Sequence, residues 1–470
     1  MEILVLEAST SSAKAMVYDG RRGVVAMDSC PYPAHVNDVV THDAQGELEI
    51  LLGLGKRMAA GRDIAAISLV GTWHSLMLAD RDMRPYTPIY TWAYRGAAQV
   101  AGQLRRNQEQ TAALYQKTGC MVHAMYPAYK LMKLQQDGQV GRETRVCSQA
   151  DYIFYCLTGE WAVSQSIASG TALLNIHSLA WDEEMLELAG IGEGQLPPVR
   201  PHTYTAPLCA LAARELGLSP GIPVAVGNAD GALNQVGAGA MREGVMTLSV
   251  GTSGALRMAV EAPVIPEIPS TWCYYAPGKW LSGAATNGAT NCVDWFLQQT
   301  MQGRAGFAEM EAQMPEDTLD FPVFLPFLYG ERCPGWQDER SGAFCGVKGN
   351  HGAGHFYRAV LEGVLFNLYH CYQILTEVGG TPEKICVSGG ILNSLRWTQM
   401  LSDIVQRELD CPEMEQASMM GGAAVGLLVA GALTDLQDFQ LKEGKKVYPD
   451  VSKRDFYEQR FGRYLEYYRQ

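Results

Sequence analysis

Apolar residues come in short runs broken by small polar turns. Ile3-Leu4-Val5-Leu6 leads into the hydroxyl cluster Ser9-Thr10-Ser11-Ser12, and Ala13 to Tyr18 returns as a second apolar run. Strand, polar turn, strand is the pattern of a hairpin whose tip is rich in hydrogen-bond donors. A similar unit recurs from Val245 to Val260, with Gly251-Thr252-Ser253-Gly254 between Met246-Thr247-Leu248-Ser249-Val250 and Ala255-Leu256-Arg257-Met258. Thr10-Ser11 and Thr252-Ser253 stand at equivalent places. The echo predicts two halves of related architecture, each presenting hydroxyls and backbone N–H groups to a shared cleft, with a boundary near residue 240. Hairpins with Ser/Thr turns are commonplace, so on this pattern alone two unrelated hairpins remain an alternative.

Other elements carry positional information. Ile222-Pro223-Val224-Ala225-Val226 reads as a strand running into Gly227-Asn228-Ala229-Asp230-Gly231, which puts Asp230 at a strand's carboxyl end, where open α/β sheets place their ligand crevices. Lys384-Ile385-Cys386-Val387 leads into Ser388-Gly389-Gly390, and helical spacing follows from Ser394 to Leu409. A strand, a double glycine and a helix let a ligand approach backbone closely. His355 to Val378 has helical spacing and stops at Gly379-Gly380. Met419 to Leu433 is Gly-rich and shorter than the ~20 residues a bilayer requires, so it predicts a buried helix.

Composition narrows the function classes. A chain of 470 residues exceeds one ordinary core and predicts two large domains. Hydrophobic residues at 47% and charged residues at 19% suit a chain that folds fully. A net charge of -13 argues against nucleic acid or an anionic membrane as partner. The start lacks the basic and apolar pattern of a signal peptide, so a cytoplasmic protein is expected. Twelve cysteines scattered without Cys-x-x-Cys pairs read as reduced, mostly buried thiols, and no Cys or His group has zinc spacing.

No Gly-x-x-x-x-Gly-Lys-Ser/Thr loop and no Gly-x-Gly-x-x-Gly fingerprint after a strand is present. What remains are two hydroxyl-tipped hairpins, an acid beside the first, and Asp230. Phosphoryl transfer needs donors for the transferring phosphate, a carboxylate or water shell for magnesium, and a base on the attacking hydroxyl. Each need has a candidate.

Gly342-Ala-Phe-Cys-Gly-Val, seven residues, then His355-Phe-Tyr-Arg-Ala-Val-Leu-Glu362 form the most specific segment. With Pro127 to Lys130, Ser148 to Gly159, Ser166 to Thr171 and Val250 to Gly254, it resembles the FGGY carbohydrate kinases of the actin-like ATPase superfamily over nearly the whole chain. Trp73-His74-Ser75, Tyr90-Thr91-Trp92-Ala93, Asp230-Gly231 and Leu325 through Pro334 are most similar to the gluconate kinase branch. The resemblance implies an α/β fold of two actin-like (ribonuclease H-like) domains with a cleft between them. Residues 1–240 would carry the sugar side and the catalytic aspartate, and 241–470 the nucleotide side. It implies ATP and Mg2+, with Asp230 as the general base. Thr10, Ser11, Lys14, Gly251 and Thr252 would hold the phosphates, and Gly389, Gly390 and Asn393 the adenosine side. Glu7 would hold hydrated magnesium, and Trp73, His74, Trp92 and Asp230 the substrate, a six-carbon sugar acid being favoured over a ketopentose or glycerol. The bland readings are turn residues at the hairpin tips, a helix cap at Asp230, a plain helix entry at 389–393, and structural roles for His74 and the tryptophans.

The sequence departs from the family pattern at four places. Glu7 replaces Asp, Ser9 replaces Gly, Tyr94 replaces an acid beside the sugar site, and Lys133 replaces Trp. Ser9 is expected to strain the turn if the turn needs positive φ. These changes leave ketopentoses, ketohexoses and polyols open as substrates. They also motivate a rival, a catalytically weak relative that binds nucleotide or sugar as a regulator. A second rival, an actin-like ATPase coupled to protein conformational change, would not need the Trp73-His74 and Trp92 loops. A homodimer is compatible with the sequence, though nothing in it marks an interface.

Overall fold

The computed structural model describes residues 1–315, 317–412, 416–439 and 444–470. Two mixed sheets have the same central strand plan. Across the first run Gly23–Pro31, Ser12–Asp19, Glu2–Ala8, Ile64–Gly71, Pro223–Ala225 and Thr205–Pro207, with Asn228–Ala229 also paired to Ile64–Gly71. Across the second run Trp272–Ala276, Lys279–Thr286, Gly254–Val260, Val245–Val250, Lys384–Ser388, Leu409–Cys411 and Lys445–Val447. Antiparallel strands open each sheet, three as a meander in the first and four in the second, where Lys279–Thr286 lies between Trp272–Ala276 and Gly254–Val260; the earliest of them in the chain pairs in parallel with a later strand. A further parallel strand follows, and an antiparallel strand closes the series. The short echo in the sequence thus belongs to a repeat of the central strand pairings of the two sheets.

The hairpin registers match as well. Ala8 pairs with Ala13 across the first tip, and Val250 with Gly254 across the second. Neither Ser9 nor Gly251 adopts positive φ, so serine at position 9 fits the turn without backbone strain.

Strand Glu2–Ala8 carries the unbroken apolar run Ile3-Leu4-Val5-Leu6 because helices cover both of its faces. Leu4 and Leu6 pack against Leu51 and Leu54 of helix Ala44–Ala59. Ile3 and Val5 face helix Ala417–Val429, which comes from the second half of the chain and forms the buried helix expected at 419–433. Gly422 and Gly426 set its depth: a Cβ there would lie 2.6 Å from Val5 Cγ1 and 2.1 Å from Ile3 Cγ2. Its next neighbour is helix Asp230–Gly237. A Cβ on Gly237 would stand 1.9 Å from the Ala417 carbonyl oxygen, and one on Gly421 would stand 2.0 Å from that of Leu233.

The helical segment expected from 394 to 409 is shorter, Leu395–Val405. Gln406 turns the chain at φ +51°, and Leu409, which shares the helical spacing, instead pairs with Ile385 in the second sheet. Helix Ala353–Gly379 forms as expected. It carries Arg358 and Glu362, which with Arg460 make a buried triad: Arg358 Nε donates to Glu362 Oε1 at 2.9 Å, and Arg460 Nη2 to Oε2 at 2.8 Å. All twelve cysteines are unpaired. Among the described residues no helix is long and apolar enough to cross a membrane.

Gly421→Ala should lower the melting temperature by several degrees, reflecting about 1–3 kcal/mol of overpacking. Gly53→Ala, in a helix interior where a Cβ meets nothing within 4 Å, should gain about 0.5–1 kcal/mol. Thermal denaturation of both variants tests the close helix contact, and equal melting temperatures would contradict it.

Candidate functional site

Strands Ile64–Gly71 and Asn228–Ala229 run parallel, with Val70 beside Asn228 and Gly71 beside Ala229. Their carboxyl ends therefore open at one edge. Thr72, Trp73 and His74 leave the first, and Asp230 follows the second as the opening residue of its helix. Both hairpin tips reach the same place. A cavity of about 450 Å³ gathers Thr10, Trp73, His74, Trp92, Asp230 and Thr252 from the residues expected on sequence grounds. A groove of about 480 Å³ formed by residues 34–45 and 85–88 contains none of them.

Asp230 accepts hydrogen bonds from the backbone N–H groups of Gly231, at 2.7 Å, and Trp73. Burial and then the negative charge of Glu7 push its carboxyl up to about 6, while those N–H groups and the Arg257 guanidinium pull the other way. It is thus a carboxylate at neutral pH with raised basicity.

Trp73 is clamped between glycines. A Cβ on Gly170 would lie 2.5 Å from its ring, and one on Gly231 would lie 2.3 Å away. Its indole N–H donates to Ser166 O at 2.8 Å, so it meets the cavity through its ring alone, beside Tyr274 at 4.9 Å between centroids. His74 has φ +67° and hydrogen-bonds Gly170 O through Nδ1 at 2.7 Å. Burial, then the Arg332 charge, hold it well below the usual imidazole range, so the ring is neutral with Nδ1–H donating, which leaves Nε2 as an acceptor. Trp92 is 40% exposed, and its Nε1–H donates to Thr10 Oγ1 at 3.2 Å.

Lys130, fully buried, holds these loops together. Its Nζ donates to His74 O at 2.6 Å and Thr91 O at 2.5 Å, with Tyr90 O at 3.4 Å. Burial pushes it well below the normal lysine range. Two of the substituted family positions have local partners: Tyr94 packs on Tyr90, with ring centroids 4.5 Å apart, and Lys133 pairs with Asp137 one turn along its helix.

On the other side, Glu7 is buried and its carboxylate is shared, with Lys14 Nζ at 2.9 Å and Ser418 Oγ at 2.8 Å. Lys14 is therefore committed to Glu7, and neither lines the cavity, nor do Ser11, Gly251, Gly389, Gly390 or Asn393. Gly389, at φ +96°, approaches the second hairpin so closely that a Cβ would lie 2.5 Å from Val250 O. The double glycine and the hairpin tip thus form one ledge beside the cavity, with Asn393 exposed at the end of the following short helix. Among the described residues no group of three or more His, Cys, Asp or Glu could hold a metal ion. Magnesium, which keeps several waters, needs only one or two carboxylates, and Glu7 offers one.

Sequence reasoning missed Arg257, Trp272, Tyr274, Asn287 and Arg332, which also line the cavity. The available signal was a charge inside an apolar strand, between Leu256 and Met258.

Lys130→Met should leave the carbonyl of His74 without a partner and destabilise the protein by about 1–3 kcal/mol. Chemical denaturation measures this, and an unchanged midpoint would show that the loops hold without the lysine.

Comparison with known proteins gives consistent results. The FGGY family of carbohydrate kinases, N-terminal domain, matches residues 2–237, and its C-terminal domain matches residues 246–430. The gluconokinase of Bacillus subtilis (strain 168) is 29% identical over 452 residues, covering 92% of this chain and 88% of the relative. A crystal structure of gluconate kinase from Lactobacillus acidophilus aligns with a TM-score of 0.92 at 27% identity, covering 99% of this chain and 97% of the other. A ligand-bound xylulose kinase from Lactobacillus acidophilus aligns with a TM-score of 0.93 at 28% identity and the same coverage.

Proposed function

The chain belongs to the FGGY family of carbohydrate kinases, and on that premise we propose that it transfers the γ-phosphoryl group of ATP to a hydroxyl of a small sugar acid. The observation that carries the reading is Asp230, a raised-pKa carboxylate at the opening of its helix, facing a cavity that both hairpin tips also line.

In this reading Asp230 orients the acceptor hydroxyl and takes its proton as the oxygen attacks phosphorus. A carboxyl near 6 remains ionised at neutral pH yet is a stronger base than an ordinary aspartate. His74 Nε2 accepts from a second hydroxyl, and the faces of Trp73 and Trp92 confine the carbon chain. Thr10, Ser11, Gly251 and Thr252 supply hydroxyls and backbone N–H groups to the phosphates. Gly389, Gly390 and Asn393 lie on the adenosine side, where only glycine allows the ledge to come so near Val250. Lys14 neutralises Glu7 and stands next to the phosphates. Magnesium, held by Glu7 through its water shell, would screen the charge on those phosphates. Residues 1–240 form the acceptor side and 241–470 the nucleotide side, with the Ala417 helix reaching back to the first. Dependence on ATP and twelve unpaired cysteines support a cytoplasmic setting.

Gluconate is the favoured acceptor, supported by the gluconokinase relatives and the Trp73-His74 and Trp92 loops. Xylulose is the second reading, supported by the xylulose kinase neighbour and by the loss of an acid at Tyr94.

Magnesium-dependent ADP release should be stimulated by one class among gluconate, other aldonates, ketopentoses, ketohexoses, polyols and glycerol. Asp230→Ala should reduce that stimulation about a thousandfold while nucleotide affinity changes only a few-fold. Silence across the whole panel, with nucleotide binding intact, would favour the regulatory relative. The pH profile has a definite sign. The base works deprotonated, so kcat/KM should rise as pH increases through about 6 and level off above it. A rate that falls on passing upward through that pH would reject Asp230 as base. Glu7→Asp should be tolerated, and its magnesium titration shows whether the site has been rebuilt around the longer side chain.

A further inference from the structure

Arg257 and Arg332 line the same cavity as Asp230. Arg257 projects from strand Gly254–Val260, and a Cβ on Gly231 would lie 3.4 Å from its Nη2. Arg332 follows Glu331, whose carboxylate is taken by Arg340 at 2.9 Å and the Tyr468 hydroxyl at 2.6 Å. Among the described residues no carboxylate stands within ion-pair distance of either guanidinium, and the Nε of each is buried without a hydrogen-bond partner. A third arginine at the rim, Arg95, is not spare, because Asp338 pairs with it at 3.0 Å.

Two unpaired cations in one partly buried cavity repel each other and have lost hydration, an arrangement that an anion relieves. Burial pulls Arg257 down to about 10; the Asp230 charge opposes the shift and Arg332 adds to it. The missing anion belongs with the acceptor, although both arginines come from the half that carries the nucleotide side, because the cavity is lined from both halves. Arg257 abuts Gly231, and Arg332 acts electrostatically on His74 and Tyr274, whereas the phosphates are assigned to the hairpin tips. Trp272 and Tyr274, stacked at 4.2 Å, provide a flat wall beside the two guanidinium groups.

We propose that Arg257 and Arg332 bind the carboxylate of an open-chain sugar acid and so select aldonates over neutral sugars and polyols of equal length. Guanidinium forks match a carboxylate bidentately. The like charge of Asp230 keeps that carboxylate away from the base and leaves a hydroxyl to face it. This assignment rests on the kinase reading for its role in turnover, but the binding itself can be measured without turnover.

Calorimetry on the full chain should compare gluconate with glucitol, a neutral chain of the same length, in wild type, Arg257→Leu and Arg332→Leu. Wild type should bind gluconate about 30-fold more tightly than glucitol, and each variant should lose most of that preference. KM for ATP, from ADP release, should stay within about threefold, since the phosphates are assigned to the hairpin tips and not to the arginines. Weakened ATP binding with gluconate affinity intact would move the arginines to the nucleotide and overturn the proposal. So would a wild type that binds glucitol or xylulose as well as it binds gluconate. If no acceptor stimulates ADP release, the kinase reading fails, yet the gluconate-to-glucitol ratio still decides carboxylate recognition. If a leucine variant does not fold, Arg257→Lys and Arg332→Lys, which keep the charge and lose the fork, should show an intermediate preference.

Discussion

The site depends on a backbone-to-backbone contact between two helices from opposite halves of the chain. Gly237 and Gly421 let helices Asp230–Gly237 and Ala417–Val429 approach until each one's position meets a carbonyl oxygen of the other. Van der Waals repulsion rises so steeply at 2 Å that no other residue type permits this spacing. The consequences reach the chemistry directly. Asp230 opens one of the helices, and Ser418, at the start of the other, reaches Glu7 of the first hairpin at 2.8 Å. One contact therefore positions both the proposed base and the Glu7 carboxylate beside the first hairpin.

Buried charge is used in two different ways. Around Glu362 every charge has a partner: Arg358 and Arg460 flank the carboxylate, and Arg460 also donates to the carbonyls of Phe321 and Pro322. Such a network gives little net stability over an apolar core but makes loss of any member expensive. The segment ending at Glu362 thus has a structural role, away from the cavity. Lys130 likewise has carbonyl partners in both acceptor loops. Arg257 and Arg332 differ, because their charges face an open cavity and lack such partners.

Much of this was legible in the sequence, for identifiable reasons. The hairpins and Asp230 could be read because turn chemistry and strand ends are local. The repeat of the central strand pairings could only be suspected, since its parallel partners lie far apart in the chain. Ser394 to Leu409 was overextended because Leu409 has helical spacing but a partner in the sheet. Lys14 lies across from Glu7 on the paired strand, where the two side chains meet, a partnership that shows only once the hairpin register is set. Lys130 fell within a recognised segment, but its role is invisible without the carbonyls of residues 74 and 91, more than thirty positions away. Arg257 and Arg332 become a pair only when the second sheet and its following loop are folded.

The bond from Trp92 Nε1–H to Thr10 Oγ1 joins the acceptor loop to the first hairpin tip. Because that hydroxyl oxygen accepts from the indole, its own proton is free to point outward, toward a phosphate oxygen in the kinase reading. The two substrates then share a single bridge of atoms. Whatever steadies the indole also bears on the hydroxyl, and thermodynamic linkage makes any coupling that results equal in both directions. In that reading, communication between acceptor and nucleotide would pass through one tryptophan and one threonine.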